Sequence, residues 1–206
     1  MFKIGLLIGA MGLVGLMLGA GLIAYSQTRG KGSEILTRAY EAVKTPVYAP
    51  IVVRVNGVGI PGERVQIISA MYEEGKRVAP EEYRDVEAPD PRQVLDTLIR
   101  GELIYQEAER RGVLCSEIEV RELAEGQLQA RELAEAWAAH FGVPVEELIA
   151  VPEVFKNYSV LCAAASLTEA VVPAGVTNRE LLRLWDEFVG SLVARADIEI
   201  LDPQLQ

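Results

Sequence analysis

This 206-residue chain has little of the side chains that do chemistry near neutral pH. His140 is its one histidine, and Cys115 and Cys162 are its only cysteines. No Cys-x-x-Cys or Cys/His spacing is present, which excludes a zinc site of the usual kinds. No nucleophile stands in a pattern with a base, and Gly57-Val58-Gly59 lacks the third glycine and the helical context of a dinucleotide loop. Glu73-Glu74, Glu81-Glu82 and Glu146-Glu147 are adjacent carboxylates; on a helix such neighbours point apart, so they read as solvated faces. His140 lies beside Phe141 and near Trp137 and reads as a helix-end residue. The chain is therefore expected to be neither an enzyme nor a carrier of a metal or cofactor.

Positive charge is also scarce. Twenty Lys and Arg stand against 30 Asp and Glu, for a formal net charge of −10. That balance excludes a nucleic-acid interface and a surface that clings to anionic lipid, and fits a soluble, self-repelling domain. No internal repeat is present.

Two cysteines are enough for one disulfide in an oxidising compartment, but spacing alone does not bring them together. Cys162 lies in the apolar run Val160-Leu161-Cys162-Ala163, which favours a buried thiol.

One long hydrophobic run is present, at the N-terminus. Residues 4–25 carry no charge and no proline, and at about 1.5 Å per residue they reach ~30 Å, the thickness of a bilayer core. This length favours an uncleaved anchor over a cleaved signal peptide, for which Ala24-Tyr25-Ser26 offers a cleavage site. Gly5, Gly9, Gly12 and Gly19 fall near one helical face and suit close helix packing in the membrane. Lys3 on one side against Arg29, Lys31 and Arg38 on the other gives a weak vote for a cytoplasmic C-terminal part.

Beyond the span, residues 27–50 read as a stalk holding a short helix over 33–44, ended by Pro46 and Pro50. Asn56-Gly57 between apolar residues predicts a hairpin of strands 51–55 and 58–60. Pro61 suits the first turn of a helix that shows Val65, Ile68 and Tyr72 on one face. The stretch 75–91, with Pro80, Pro89 and Pro91, reads as a loop. Asp90 then caps a helix with Pro91 at its first position, and Gly112 stops it. Its apolar stripe is broad: Leu95, Ile99 and Leu103 on one line, Val94, Leu98 and Tyr105 on the next.

Ser116 and Glu119 form a capping box for a helix whose seam is Leu123, Gln127, Ala130, Ala134, Trp137 and Phe141, closed by Gly142. Further helices are predicted around 145–150, over 153–171 with Phe155, Tyr158, Cys162 and Ala165 inward, and over 178–195 with Leu181, Trp185, Phe188 and Leu192 on one face. Residues 198–201 alternate as a strand whose available partner is 51–55, bringing both ends of the domain together. The expected fold is mostly α: a helical domain over 51–201 capped by a small antiparallel sheet (51–55, 58–60, 198–201), after an anchor (1–26) and stalk (27–50), with a tail at 202–206.

The order of these signals resembles a known family. The run Val53-Arg54-Val55-Asn56-Gly57-Val58-Gly59-Ile60, with Glu63 after it, resembles the start of the N-terminal chaperone domain of SurA/PrsA-type foldases. The helix Val94-Leu95-Asp96-Thr97-Leu98-Ile99 … Leu103-Ile104-Tyr105-Gln106-Glu107-Ala108 … Gly112 is similar to that family's central helix, and Ser116 to the start of the next. Ala194-Arg195-Ala196-Asp197-Ile198-Glu199-Ile200-Leu201 is similar to its closing helix and strand. Pro61 departs from the family's hydroxyl cap, and the loop before Pro91 is longer than the family's. No parvulin isomerase domain is present, since nothing near 171–178 supplies its glycine-rich start or its length.

The resemblance implies a peptide-binding, chaperone-like domain without prolyl-isomerase activity, placed outside the membrane by its anchor. This overrides the charge vote, which is least reliable for long domains. The implied partners are unfolded or nascent polypeptides. Trp137, Phe141, Tyr158, Trp185 and Phe188 are the large side chains expected to line a binding surface, although helical spacing makes each a core candidate as well. The alternative is a non-catalytic structural or assembly subunit docked in a membrane complex through the same anchored domain.

Overall fold

A computed structural model describes residues 32–206 except 44–46, 79, 82–83, 85–86, 129–134, 136–137 and 139–140. The described chain is mostly helical with one small antiparallel sheet. In order come α1 (Gly32–Ala42), β1 (Ile51–Val55), β2 (Val58–Pro61), α2 (Gly62–Val78), α3 (Pro91–Arg111), α4 (Glu117–Leu128), a 3-10 turn (Val145–Ala150), α5 (Pro152–Val171), α6 (Asn178–Arg195), β3 (Ile198–Ile200) and a last 3-10 turn (Pro203–Leu205). Among the described residues no helix is long and apolar enough to cross a membrane. The run expected as an anchor, with Gly5, Gly9, Gly12 and Gly19, lies outside them.

The sheet has the order β2-β1-β3, with both neighbours antiparallel to β1. Asn56 and Gly57 take φ of 50° and 86°, the left-handed pair that a two-residue hairpin turn requires. Their identity thus sets the register Val55↔Val58. The sheet also joins the chain's two ends, pairing Val53 with Ile200 and Val55 with Ile198.

One extra residue, Val52, interrupts the β1–β2 register between Ile51 and Val53. A bulge of this kind breaks the two-residue alternation, and Val52 and Val53 are both fully buried. The Val52 carbonyl is turned to the other side, where it accepts from the Leu201 and Asp202 amides at 2.8 and 3.2 Å.

Helix α3 begins and ends where its sequence signals lie. Asp90 accepts from the Gln93 amide at 2.8 Å, Gln93 accepts in return from the Asp90 amide at 2.9 Å, and Gly112 closes the helix at φ 67°. Its broad stripe is buried from Val94 through Ala108. This helix forms the main core with the sheet, α6 and the second half of α5. The first half of α5 (Val154, Tyr158, Leu161) turns to a separate, smaller core with Val120 and Ala124 of α4 and Leu148 and Ile149 of the 3-10 turn. Helix α5 therefore shows apolar residues on two sides. The face predicted for it was too narrow, because apolar residues turned toward two cores spread around the helix and blur its period.

Several expectations are corrected by these contacts. Cys115 and Cys162 form a disulfide, 47 residues apart with 6.0 Å between Cα atoms, and no free thiol remains. The reason is tertiary: α4 and α5 pack side by side over the smaller core and bring the start of one against the middle of the other. The helix in the supposed stalk is docked, with Ile35 and Ala39 buried and Ile35 packed near Tyr72 of α2. Helix α2 accordingly runs on to Val78, past Gly75, where a loop was expected.

Pro61 is the last residue of β2, facing Ile51, and the helix opens at Gly62 instead. Gly62 is required there: a Cβ would sit 2.4 Å from the Ala49 carbonyl oxygen. Residues 202–206 belong to the fold. Leu205 is buried in the main core, Arg92 donates to its carbonyl, and buried Asp202 accepts from the Ala49 amide at 2.9 Å.

Candidate functional site

The large aromatics expected to line a binding surface are divided between the two cores. Tyr158 is buried in the smaller one, where burial pushes its phenol up to about 12; Phe141 is partly buried against the same cluster. Trp185 is 2% exposed in the main core. Phe188 lies against it at 5.6 Å between ring centroids, under the Arg111 guanidinium at 5.3 Å. Trp137 lies outside the described residues. These side chains therefore do not form one surface, and helical spacing could not separate core from site.

One of them, Trp185, meets a cavity. A half-open pocket of about 490 Å3 lies between Tyr72 of α2, segment 87–89, α3 and α6. Such a volume falls within the range of ligand pockets, about 300–1,000 Å3. Ile104 of α3 and Trp185 and Val189 of α6 lie behind it, buried in the main core at 0–3% exposure, with Tyr72 on the α2 side. Its polar wall comes from α3, where Gln93, Asp96, Thr97 and Arg100 recur at helical spacing beside the buried stripe, and from Asp186 of α6 and Glu87. Thr97 donates to the Gln93 carbonyl at 3.1 Å, and Asp96 pairs with Arg92 at 3.2 Å.

The polar residues of this wall escaped sequence reasoning. Their spacing on α3 was visible, but not the fact that α6 crosses the same face and brings Asp186 beside it.

A second group of polar side chains holds the hairpin to the helices. Gln106 donates to the Val55 carbonyl at 3.1 Å and to Glu102 at 2.9 Å, while Asn56 donates to Gln106 at 2.7 Å. Asn56 also accepts from the Asp197 amide at 2.9 Å, which ties the turn to the start of β3. Lys156 of α5 completes the group, 3.4 Å from buried Glu102 and 3.1 Å from the centre of the Tyr105 ring. Desolvation lowers the Lys156 ammonium pKa, against the pull of Glu102. These groups satisfy one another, as buried polar groups must, and read as a strut between hairpin, α3 and α5.

A third group surrounds Glu107. Arg110 and Arg111 donate to its carboxylate at 2.7–2.8 Å, and Arg195 of α6 lies at 3.5 Å. The Arg110 hydrogen bond first, then Arg111, hold that carboxyl down at about 2, against the opposing effect of burial. The arrangement joins α3 to α6.

Among the described residues no three His, Cys, Asp or Glu side chains are grouped to hold a metal ion.

No protein-family model, no curated protein and no solved structure matches this chain. The reading of its function therefore rests on its own residues and geometry.

Proposed function

We propose that this protein is a membrane-anchored, extracytoplasmic, chaperone-like binder of unfolded or partly folded polypeptides. It works without ATP and without prolyl isomerisation. The observation that carries the reading is the half-open pocket between α2, α3 and α6, with its polar wall along α3. Such a pocket takes a side chain from an extended segment while the wall meets backbone polar groups. The Cys115–Cys162 disulfide supports placement outside the cytosol, because such bonds persist in oxidising compartments. The hydrophobic run 4–25 supports the anchor, which would raise the local concentration of the domain near clients at the membrane. The order of hairpin, central helix and closing strand supports the likeness to foldase chaperone domains.

The test is suppression of aggregation by the full chain in nanodiscs, read by light scattering as a denatured client is diluted into buffer. Suppression at near-stoichiometric ratios is expected, with no acceleration of prolyl isomerisation in a peptide assay. No suppression, together with stoichiometric co-purification of one membrane partner, would replace this reading with that of a structural subunit.

A further inference from the structure

We propose that the free edge of β3 takes up an extended segment of client polypeptide as a fourth strand, with an acidic residue of that segment seated at Arg110, Arg111 and Arg195. This deepens the chaperone reading and rests on it for the identity of the occupant.

The sheet order β2-β1-β3 leaves two edges. The β2 edge is blunted by Pro61, which has no N–H to give. On β3 the register says which groups are free. Glu199 pairs with Arg54, the Asp197 carbonyl accepts from the Asn56 amide at 2.7 Å, and the Leu201 amide donates to the Val52 carbonyl at 2.8 Å. Residues 197, 199 and 201 therefore turn their main chain toward β1, and the alternation of an antiparallel ladder turns that of Ile198 and Ile200 the other way. Among the described residues the Ile198 amide and carbonyl and the Ile200 amide have no hydrogen-bond partner, and the Ile200 carbonyl accepts from the Gln206 side chain at 3.4 Å. A row of unpaired main-chain groups is what an extended peptide matches. Val193, Ala196, Ile198 and Ile200 are only partly buried against the main core, so an added strand finds apolar neighbours on its helix side.

Charge selects the segment. Arg195 closes α6 three residues before Ile198, and it shares buried Glu107 with Arg110 and Arg111 of α3. The two oxygens of Glu107 face three guanidiniums, so N–H donors and positive charge are left over. Arg110 and Arg195 are 66% and 57% exposed. The other described ion pairs set one cation against one carboxylate. Asp197 and Glu199 fall on the opposite face of the strand by its two-residue period, and Glu199 is paired with Arg54 at 3.3 Å. A carboxylate at the α6 end of the edge thus meets cations, where a lysine would meet like charge.

The experiment uses the full chain in phosphatidylcholine nanodiscs and a fluorescent peptide of alternating valine and threonine with a glutamate at each end, followed by anisotropy. The comparisons are the same peptide with glutamine or lysine ends, a glutamate-ended form N-methylated throughout, and empty nanodiscs. Glutamate ends are expected to bind ~3-fold or more tighter than glutamine ends, a difference that shrinks as salt is raised. N-methylation should weaken binding ~10-fold or more, since the main-chain hydrogen bonds are lost. Arg195→Gln, which leaves Arg110 and Arg111 on Glu107, should reduce the preference for glutamate ends and spare the affinity for glutamine ends. Hydrogen exchange at the Ile198 and Ile200 amides should slow when the peptide is bound, while the Gly59 amide on β2 stays unchanged.

Equal binding of the N-methylated peptide, equal or tighter binding of lysine ends, an unchanged preference in Arg195→Gln, or unslowed exchange at Ile198 and Ile200 would each overturn the proposal. Slow exchange there in the chain alone, rising with chain concentration, would assign the edge to a second copy and overturn it too. Aggregation suppression separates the two levels. Suppression by the wild-type chain without peptide at the edge removes this assignment and keeps the chaperone reading. Peptide at the edge without suppression keeps the strand addition and removes the chaperone reading.

Discussion

Removing the Cys115–Cys162 bridge tests how the smaller core is held. The bond closes a loop across a sequence separation of 47 residues. In the chain-entropy model such a closure removes about 14 cal/mol/K from the unfolded ensemble, or ~4 kcal/mol at 25 °C. The loss should not spread evenly. Helix α4 packs on α5, and among its described residues Val120 and Ala124 are buried in the smaller core, with Leu123 against it. The main core has its own members in α3, α6 and the sheet and does not include either cysteine.

The perturbation is Cys115→Ser with Cys162→Ala. The serine keeps a polar group for the Ser166 hydroxyl, which lies 3.6 Å from the Cys115 sulfur. Urea unfolding followed by circular dichroism should show a midpoint lower by about 2 M if m is ~2 kcal/mol/M. Hydrogen exchange should show the amides of α4 and of the 145–150 turn losing protection first, with α3 and α6 still protected. Reductant on the wild-type chain should reproduce both effects. Two titratable thiols in the untreated native protein, or a midpoint unchanged by reductant, would refute the reasoning.

Gly62→Ala should destabilise the fold by roughly 1–3 kcal/mol, the usual cost of overpacking, because the added methyl meets the Ala49 carbonyl at 2.4 Å; a lower thermal midpoint checks it. Gly190→Ala should do the opposite by ~0.5–1 kcal/mol, since this helical position on α6 is open, with nothing within 4 Å of the new methyl. Glu107 has a folded pKa of about 2 against the ordinary 4.5, so its contribution to stability is complete above 4.5 and is lost as pH falls toward 2. Urea midpoints measured across that window should decline in the wild-type chain and decline less steeply in Glu107→Gln. Thr177→Ala should cost about 1 kcal/mol, because its hydroxyl accepts from the Glu180 amide in the capping box that opens α6; denaturant titration reads it.

The local chemistry of the chain fixed its element ends. Asn56-Gly57 gives the hairpin because both residues tolerate positive φ, and Asp90, Pro91 and Gly112 bound α3 because each satisfies or avoids a free end group. The Ser116–Glu119 box holds as written, with the Ser116 amide and the Glu119 carboxylate 2.8 Å apart. The breadth of the α3 stripe likewise foretold neighbours on two sides, and the alternation at 198–200 foretold a strand beside β1. These signals act within a turn or two of the chain, so the residues that carry them are adjacent in sequence.

What lay beyond reach were the meetings between distant elements. Cys115 and Cys162 sit in unremarkable local settings, and only the packing of α4 on α5 brings them within bonding distance. The docking of Ile35 and Ala39, the demand for glycine at position 62 and the burial of Leu205 each depend on a partner elsewhere in the chain. The candidate site is the extreme case. Trp185 was visible as an aromatic on a helical face, but periodicity gives a face without saying what covers it. Helix α6 turns that face into the main core and leaves Trp185 buried behind a cavity bordered by α3. The sequence by itself thus determined the turns, the caps and the apolar stripes, through short-range hydrogen bonding and backbone preference. Only the tertiary structure decided which stripes closed on one another, which cysteines met and where a gap was left, because close packing is settled between surfaces rather than along the chain.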